Sequence, residues 1–548
     1  MYDVIVVGAG SAGCVLAGRL TEDAGAKVLL LEAGGPDDDQ RITIPAAFSQ
    51  LFRTTYDWSY STTPQAHLDG RRLEWPRGRV VGGSSSINAM LYVRGNPLDY
   101  DTWRDVHGCT GWGYADLLPY FRKAEDNARG PSDYHGVGGP LRVEDQRSPH
   151  PLTRAFLRAA IAEGLPLNDD VNGPEQDGVG LYQVTQRRGR RWSAASAYLR
   201  PTPPGLDLVT GALVTRVLFN HVQAVGVEYV REGQSHHVYA DEIVLAGGAV
   251  NSPQLLMLSG VGPAEHLREH GIGVVADLPG VGANLQDHLA AGAIWRTTGT
   301  SDLYDHENAL RLAQWQLFGR GPLTSPVAEG AAFVRTRAGL PAPDLQLHVA
   351  PVGFVDNARG EPRYRGFTIG ATLVSVAARG SLRLAGPDPR WAPLIDPAYL
   401  SERADLDTLL AGVQLAQRIA AKSPLREMLA EEVLPGGEAE DEGAVAAAVR
   451  QFAQTLYHPV GTCAMGAGRD AVVDPSCRVR GLDGLRVVDA SVMPTVPRGN
   501  TNAPTIAVAE RAADLIRGRE PLASEPGRTA TVITLADVAA ARAAASSP

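Results

Sequence analysis

The chain has 548 residues, 44% of them hydrophobic, with 51 basic and 61 acidic side chains for a net charge of −10. Such a length buries a large core and predicts more than one domain. The negative balance argues against nucleic acid as a partner. Four cysteines (Cys14, Cys109, Cys463 and Cys477) form no CxxC pair, which excludes a disulfide scaffold and the usual zinc-ribbon spacing. There is no Walker A loop, no GxSxG elbow and no HExxH, so the commonest NTPase, serine-hydrolase and zincin readings fall away. No metal site is expected.

In chain order, Met1-Tyr2-Asp3 is acidic where a signal peptide wants positive charge, and the uncharged stretch over residues 4–18 is too short to span a bilayer. The fold is therefore expected to start at residue 1, with no integral membrane segment and a cytoplasmic location. Val4-Ile5-Val6-Val7 predicts a buried parallel strand. It runs into Gly8-Ala9-Gly10-Ser11-Ala12-Gly13, a GxGxxG, and then into an apolar helical pattern over 14–20. A second strand over 27–31 ends in Glu32, 19 residues beyond Gly13. Each part has a physical job. Gly8 permits a tight turn, Gly10 lets a pyrophosphate approach the backbone, and Gly13 lets helix and strand pack closely. The helix start offers amide groups and a positive dipole end to phosphate. Glu32 accepts hydrogen bonds from ribose hydroxyls and repels a 2′-phosphate, which disfavours NADP. These residues predict an ADP-type dinucleotide site and leave FAD and NAD both open.

Longer motifs follow. Residues 78–88 read GRVVGGSSSIN, residues 248–262 GAVNSPQLLMLSGVG, residues 458–466 HPVGTCAMG, residues 488–494 VDASVMP and residues 499–505 GNTNAPT. Together and in this order they resemble the glucose–methanol–choline (GMC) family of flavin oxidoreductases, from about residue 2 to about 518. The likeness is to its choline dehydrogenase-like alcohol dehydrogenases.

The resemblance implies an α/β fold, α+β overall: a Rossmann-like FAD-binding domain with a parallel sheet, and a substrate-binding cap on an antiparallel sheet with helices. The expected partition is 1–150, 195–298 and 458–518 for the FAD-binding domain, 151–194 and 299–457 for the cap, and 519–548 for a partly disordered tail. FAD contacts are implied at Gly8, Gly10, Ser11, Ala12, Gly13, Glu32 and Ala33, at Arg79, Val81, Gly82, Ser85, Asn88, Ala89, Met90 and Leu91, and at Val214, Ala246 and Gly247. Late in the chain, Asp489, Ala490, Asn502, Ala503 and Thr505 complete the set. Val214 is expected in one strand over 209–214, and the strands at 243–245 and 485–488 should join the first sheet. Some family members attach FAD through a His; here Ile87 stands at that place, so non-covalent FAD is expected.

The implied reaction oxidises an alcohol, taken as primary, to an aldehyde. Flavin N5 takes the hydride and the protein handles the hydroxyl proton. His458 is the expected base, since histidine titrates near neutrality. Asn502 is the expected second side chain at the flavin face, a donor to the substrate oxygen. Electrons then pass to oxygen, a quinone or another carrier; the sequence does not fix the acceptor or the oligomeric state. Two alternatives stay open: a choline-specific dehydrogenase, and a cyanohydrin lyase holding FAD without net redox. Tyr457 and Glu329 are pocket candidates for a choline-like cation, although Glu329 is read first as a structural acid. His266 and His270 are spaced i, i+4 but lack a third ligand and read as a solvated helix face; His236-His237 reads as a polar hairpin. His288, in the turn after PGVGANL, suggests no chemistry, and Cys463 reads as structural.

Overall fold

The computed structural model describes residues 1–299, 303, 308–353, 364–436 and 442–525. Two seven-stranded sheets dominate. In the first, Tyr2–Val7 lies between Val28–Leu31 and the long strand Gln234–Leu245, parallel to both. Leu206–Val209 adds a parallel edge, and Leu485–Val487 returns from late in the chain to pair with Ile243–Leu245. The near-continuous apolar runs reflect burial on both faces: Ile5, Val6, Leu30 and Val244 are fully enclosed. Helices Ser11–Leu20 and Asn502–Ile516 pack against each other. The far half of the sheet is an antiparallel meander of Leu213–Asn220, Gln223–Arg231 and the start of Gln234–Leu245, with His236 and His237 on the hairpin.

The second sheet is antiparallel, in the order Leu429–Leu434, Leu289–Thr297, Gly366–Leu373, Leu345–Ala350, Gly330–Val334, Gly178–Leu181, with Gln454–Thr455 also pairing with the start of Leu289–Thr297. Its period of two sends alternate residues to opposite faces. Ala290, Gly292 and Ile294 pair with Thr372, Gly370 and Thr368, and all six face a cavity. Alternate residues Ala291, Ala293 and Trp295 enter the core, and helix Arg403–Ala420 packs on the sheet.

Two expectations change, and the start of the tail can be described. The segment 209–214 is not one strand, because the chain turns at Gly211 (φ 66°) between Leu206–Val209 and Leu213–Asn220. The expected boundary at 298 falls too late: Leu289–Thr297 belongs to the antiparallel sheet, so the crossing lies at Asp287-His288. The expected tail begins exposed, over 519–524, and is tethered to the body by hydrogen bonds and an ion pair. Leu522 donates its amide to the Tyr120 hydroxyl at 3.0 Å, and Glu525 pairs with Arg122 at 2.5 Å. Residues 526–548 lie outside the described residues. Among the described residues no helix is long and apolar enough to cross a membrane.

Candidate active site

A cavity of about 380 Å³ runs between the sheets from the glycine fingerprint to His458. At its nucleotide end, helix Ser11–Leu20 begins at Gly10 with no side-chain cap, leaving its first turn of amides to a ligand. Three backbone segments meet here with no room for side chains. A Cβ on Gly13 would lie 1.8 Å from the Gly8 carbonyl oxygen, and one on Gly83 would lie 2.6 Å from Gly10 Cα. At Gly10 the nearest atom to such a Cβ is 3.9 Å away, so this Cα opens onto free space. Glu32 accepts the Ala9 amide at 2.9 Å and the Gly34 amide at 2.8 Å, and burial pushes its carboxyl up to about 7.

Most expected cofactor residues line this cavity: Gly8, Gly10, Ser11, Ala12, Glu32 and Ala33; Asn88 to Leu91; Val214, Ala246 and Gly247; and Asp489, Ala490, Asn502 and Thr505. Asp489 is saturated by Gly248 N–H (2.9 Å), the Ser252 hydroxyl (2.6 Å) and Ser491 N–H (2.8 Å), so it shapes the wall by holding backbone. Six expected contacts sit behind the wall. Gly13 packs on Gly8 as above. The Arg79 guanidinium lies over the Trp58 ring at 4.9 Å, Val81 and Ala503 are core residues, Gly82 donates its amide to Ala9, and the Ser85 hydroxyl donates to the Gly82 carbonyl. They support the lining because each packs against it. Ile87 is on the wall and packs with Ile42, Leu51 and Val80.

At the other end, His458 is 9% exposed. Its Nε2 lies 3.2 Å from Asn500 Nδ2 and its Nδ1 lies 3.0 Å from His288 Nδ1. Its backbone N–H donates to Asp287 Oδ1 at 2.7 Å. The Thr455 and Tyr399 hydroxyls donate to Asp287 Oδ2, and burial pushes the Asp287 carboxyl up to about 6. Burial holds His458 well below the usual histidine range and brings His288 and His348 down to about 3; neighbouring histidines and Arg77 push His458 the same way. His348 sits on the wall with Nδ1 2.9 Å from the Tyr182 hydroxyl. Arg77, also on the wall, donates to the Tyr457 carbonyl at 2.6 Å. Val327 (φ 69°) and Tyr457 (φ 66°) hold left-handed backbone on the same wall, a strain concentrated at the site.

The geometry corrects Asn502. Its Oδ1 accepts the Ser11 hydroxyl at 2.7 Å, at the nucleotide end, and Asn500 is the amide beside His458. The motif GNTNAPT offers both asparagines, and its irregular backbone (Gly499 φ 150°) gives no periodicity to choose between them. Asp287 and His288 were visible in the sequence but their partners lie 112 to 171 residues away. Glu329 is fully buried off the cavity, accepting the Ser325 and Thr153 hydroxyls and the His150 amide. Tyr457 lines the cavity, its ring edge-on to Phe52 at 5.7 Å. His266 is not solvated: it is buried, and its Nε2 accepts the Leu384 amide at 3.0 Å. Cys463 is buried and free.

Fold and cavity together define a dinucleotide-binding protein, and comparison with known proteins gives its family and its chemistry. GMC oxidoreductase models match residues 2–290 and 377–509, so the chain belongs to the GMC oxidoreductases. It is 46% identical to the mitochondrial choline dehydrogenase of Homo sapiens over 95% of this chain and 90% of that protein. It is 43% identical to the alcohol dehydrogenase (acceptor) of Pseudomonas putida over 96% and 97%. Pyridoxine 4-oxidase from Mesorbium loti superposes with a TM-score of 0.86 at 34% identity, over 95% of this chain and all of that one. The protein is an FAD-dependent oxidoreductase acting on alcohol-type substrates, and the open Cα of Gly10, the uncapped helix start and Glu32 fit the dinucleotide half of FAD.

Proposed function

We propose that the protein oxidises a primary, uncharged alcohol to an aldehyde, with His458 receiving the hydroxyl proton at Nε2. Bound FAD supplies the hydride acceptor. Asn500 Nδ2 donates to the substrate oxygen and holds it against His458 while negative charge develops there. Burial keeps His458 neutral, so its ring is ready to take a proton. One observation carries this reading: an imidazole and a carboxamide stand 3.2 Å apart on the wall of a cavity that also holds the dinucleotide fingerprint.

Two details support an uncharged substrate over choline. Glu329 turns away from the cavity into three hydrogen bonds. Ala290, Gly292, Ile294 and Leu434 give the alcohol end an aliphatic wall, which does not compensate the desolvation of a cation. FAD held without a covalent bond follows from Ile87, a hydrocarbon with no nucleophile.

The test is anaerobic mixing with a panel of aliphatic and aromatic alcohols, following loss of flavin absorbance. His458→Ala should retain FAD and slow the reduction about 10²–10⁴-fold, the usual worth of a positioned base. Reduction at the parental rate in that variant overturns the base assignment. Acid precipitation should release all yellow colour into the supernatant.

A further inference from the structure

The geometry points to His288 as the positioning residue that fixes which nitrogen of His458 carries the proton. This rests on the proposed role of His458 as base. A neutral imidazole has one N–H and one lone pair. Nitrogen atoms 3.0 Å apart share one hydrogen bond, so of the two Nδ1 atoms one donates and the other accepts. The proposed role of His458 as base requires a lone pair on Nε2, and the amide nitrogen of Asn500, which donates only, faces that atom at 3.2 Å and fits it as the acceptor. The lone pair of His458 then faces the cavity, its proton sits on Nδ1, and His288 Nδ1 accepts it. His288 in turn carries its own proton on Nε2, an atom that is buried with no hydrogen-bond partner.

Several features lock the pair. His288 is fully buried and the two rings stand perpendicular, with centroids 5.2 Å apart. The His288 carbonyl accepts the Leu456 amide, and the neighbouring Asp287 accepts the His458 amide, so both backbones are tied together around the rings. When His458 takes the substrate proton at Nε2, the proton on Nδ1 stays bonded to His288, which stabilises the imidazolium without leaving its site. A neutral partner orients the base without charging it. A carboxylate in that place would hold His458 protonated and remove the lone pair that the reaction uses. The other charged or titratable groups facing the pair are His348 and Arg77 beside His458, Arg498 toward His288, and Asp287 with the Tyr399 hydroxyl on it.

The test compares His288→Leu, which removes the acceptor, His288→Asn, whose side-chain oxygen can accept from Nδ1, and His288→Asp, which adds charge. His288→Leu should slow alcohol-driven flavin reduction about tenfold or more, a part of the 10²–10⁴ that a base supplies. His288→Asn should recover most of that loss. His288→Asp should raise the pKa of His458, so reduction is lost at higher pH than in the parent as pH falls. A readout independent of turnover is calorimetric binding of hexanoate, a carboxylate that pairs with the imidazolium form; its binding should persist to higher pH in His288→Asp. Parental rates and pH profiles in His288→Leu and His288→Asp overturn the proposal. So does an equal loss in all three variants with unshifted profiles, which marks a purely structural residue. If His458→Ala keeps the parental rate, the base reading fails; if it is slow while the His288 variants behave as the parent, this inference alone fails.

Discussion

Asn500 and Asn502 leave one short loop in different directions, toward His458 and toward Ser11. Their substitutions should therefore separate two functions. Asn500→Ala should slow flavin reduction about 10²-fold, the usual cost of removing a donor to developing negative charge, with FAD content unchanged. Asn502→Ala should show its effect in FAD retention, measured by absorbance after dialysis. The pattern of residue types identified this loop, and the two-residue choice within it was decided by backbone path. The same limit hid His288: a histidine after a turn says nothing until a second imidazole from residue 458 is folded against it.

The fingerprint element was legible because strand, glycines, helix and acid are contiguous over residues 2–32 and each is specified by local sterics. Gly13→Ala should be severe, since its Cβ meets a backbone oxygen at 1.8 Å and neither segment has a flexible end to move. Loss of bound FAD and a lowered melting temperature are the expected readouts. Glu32 adds a pH effect. Its folded pKa is raised from 4.5 to about 7, so the neutral carboxyl favours the folded FAD-free protein at low pH. That contribution is complete below about pH 4.5 and is lost as pH rises through about 7. Calorimetry of the FAD-free protein should show this decline, and Glu32→Gln should flatten it. Pairing between distant strands was less legible. The turn at Gly211 separates a strand paired with distant Val28–Leu31 from one paired in a hairpin with Gln223–Arg231, and Leu289–Thr297 takes its sheet from the distant Gly366–Leu373.

Across the whole molecule, residues from the two ends of the chain converge: the first sheet closes on Leu485–Val487, and Arg19 pairs with Glu510 at 2.8 Å. In the proposed reading the alcohol end is built from the second sheet, whose inward Ala290, Gly292, Ile294 and Gly370 leave room and carry no charge. Hexanol or benzyl alcohol should accordingly exceed choline in kcat/KM by at least about tenfold, since a charge left uncompensated in an apolar site costs several kcal/mol. Steady-state assays with an artificial acceptor measure this; preference for choline would reverse the substrate reading. The strand Leu289–Thr297 starts directly after His288 and presents Ala290, Gly292 and Ile294 to the substrate space. One rigid ribbon therefore serves as both yardstick and anvil: a larger residue that trims the accepted chain length also nudges the imidazole behind the base, so selectivity and speed are tuned together along it.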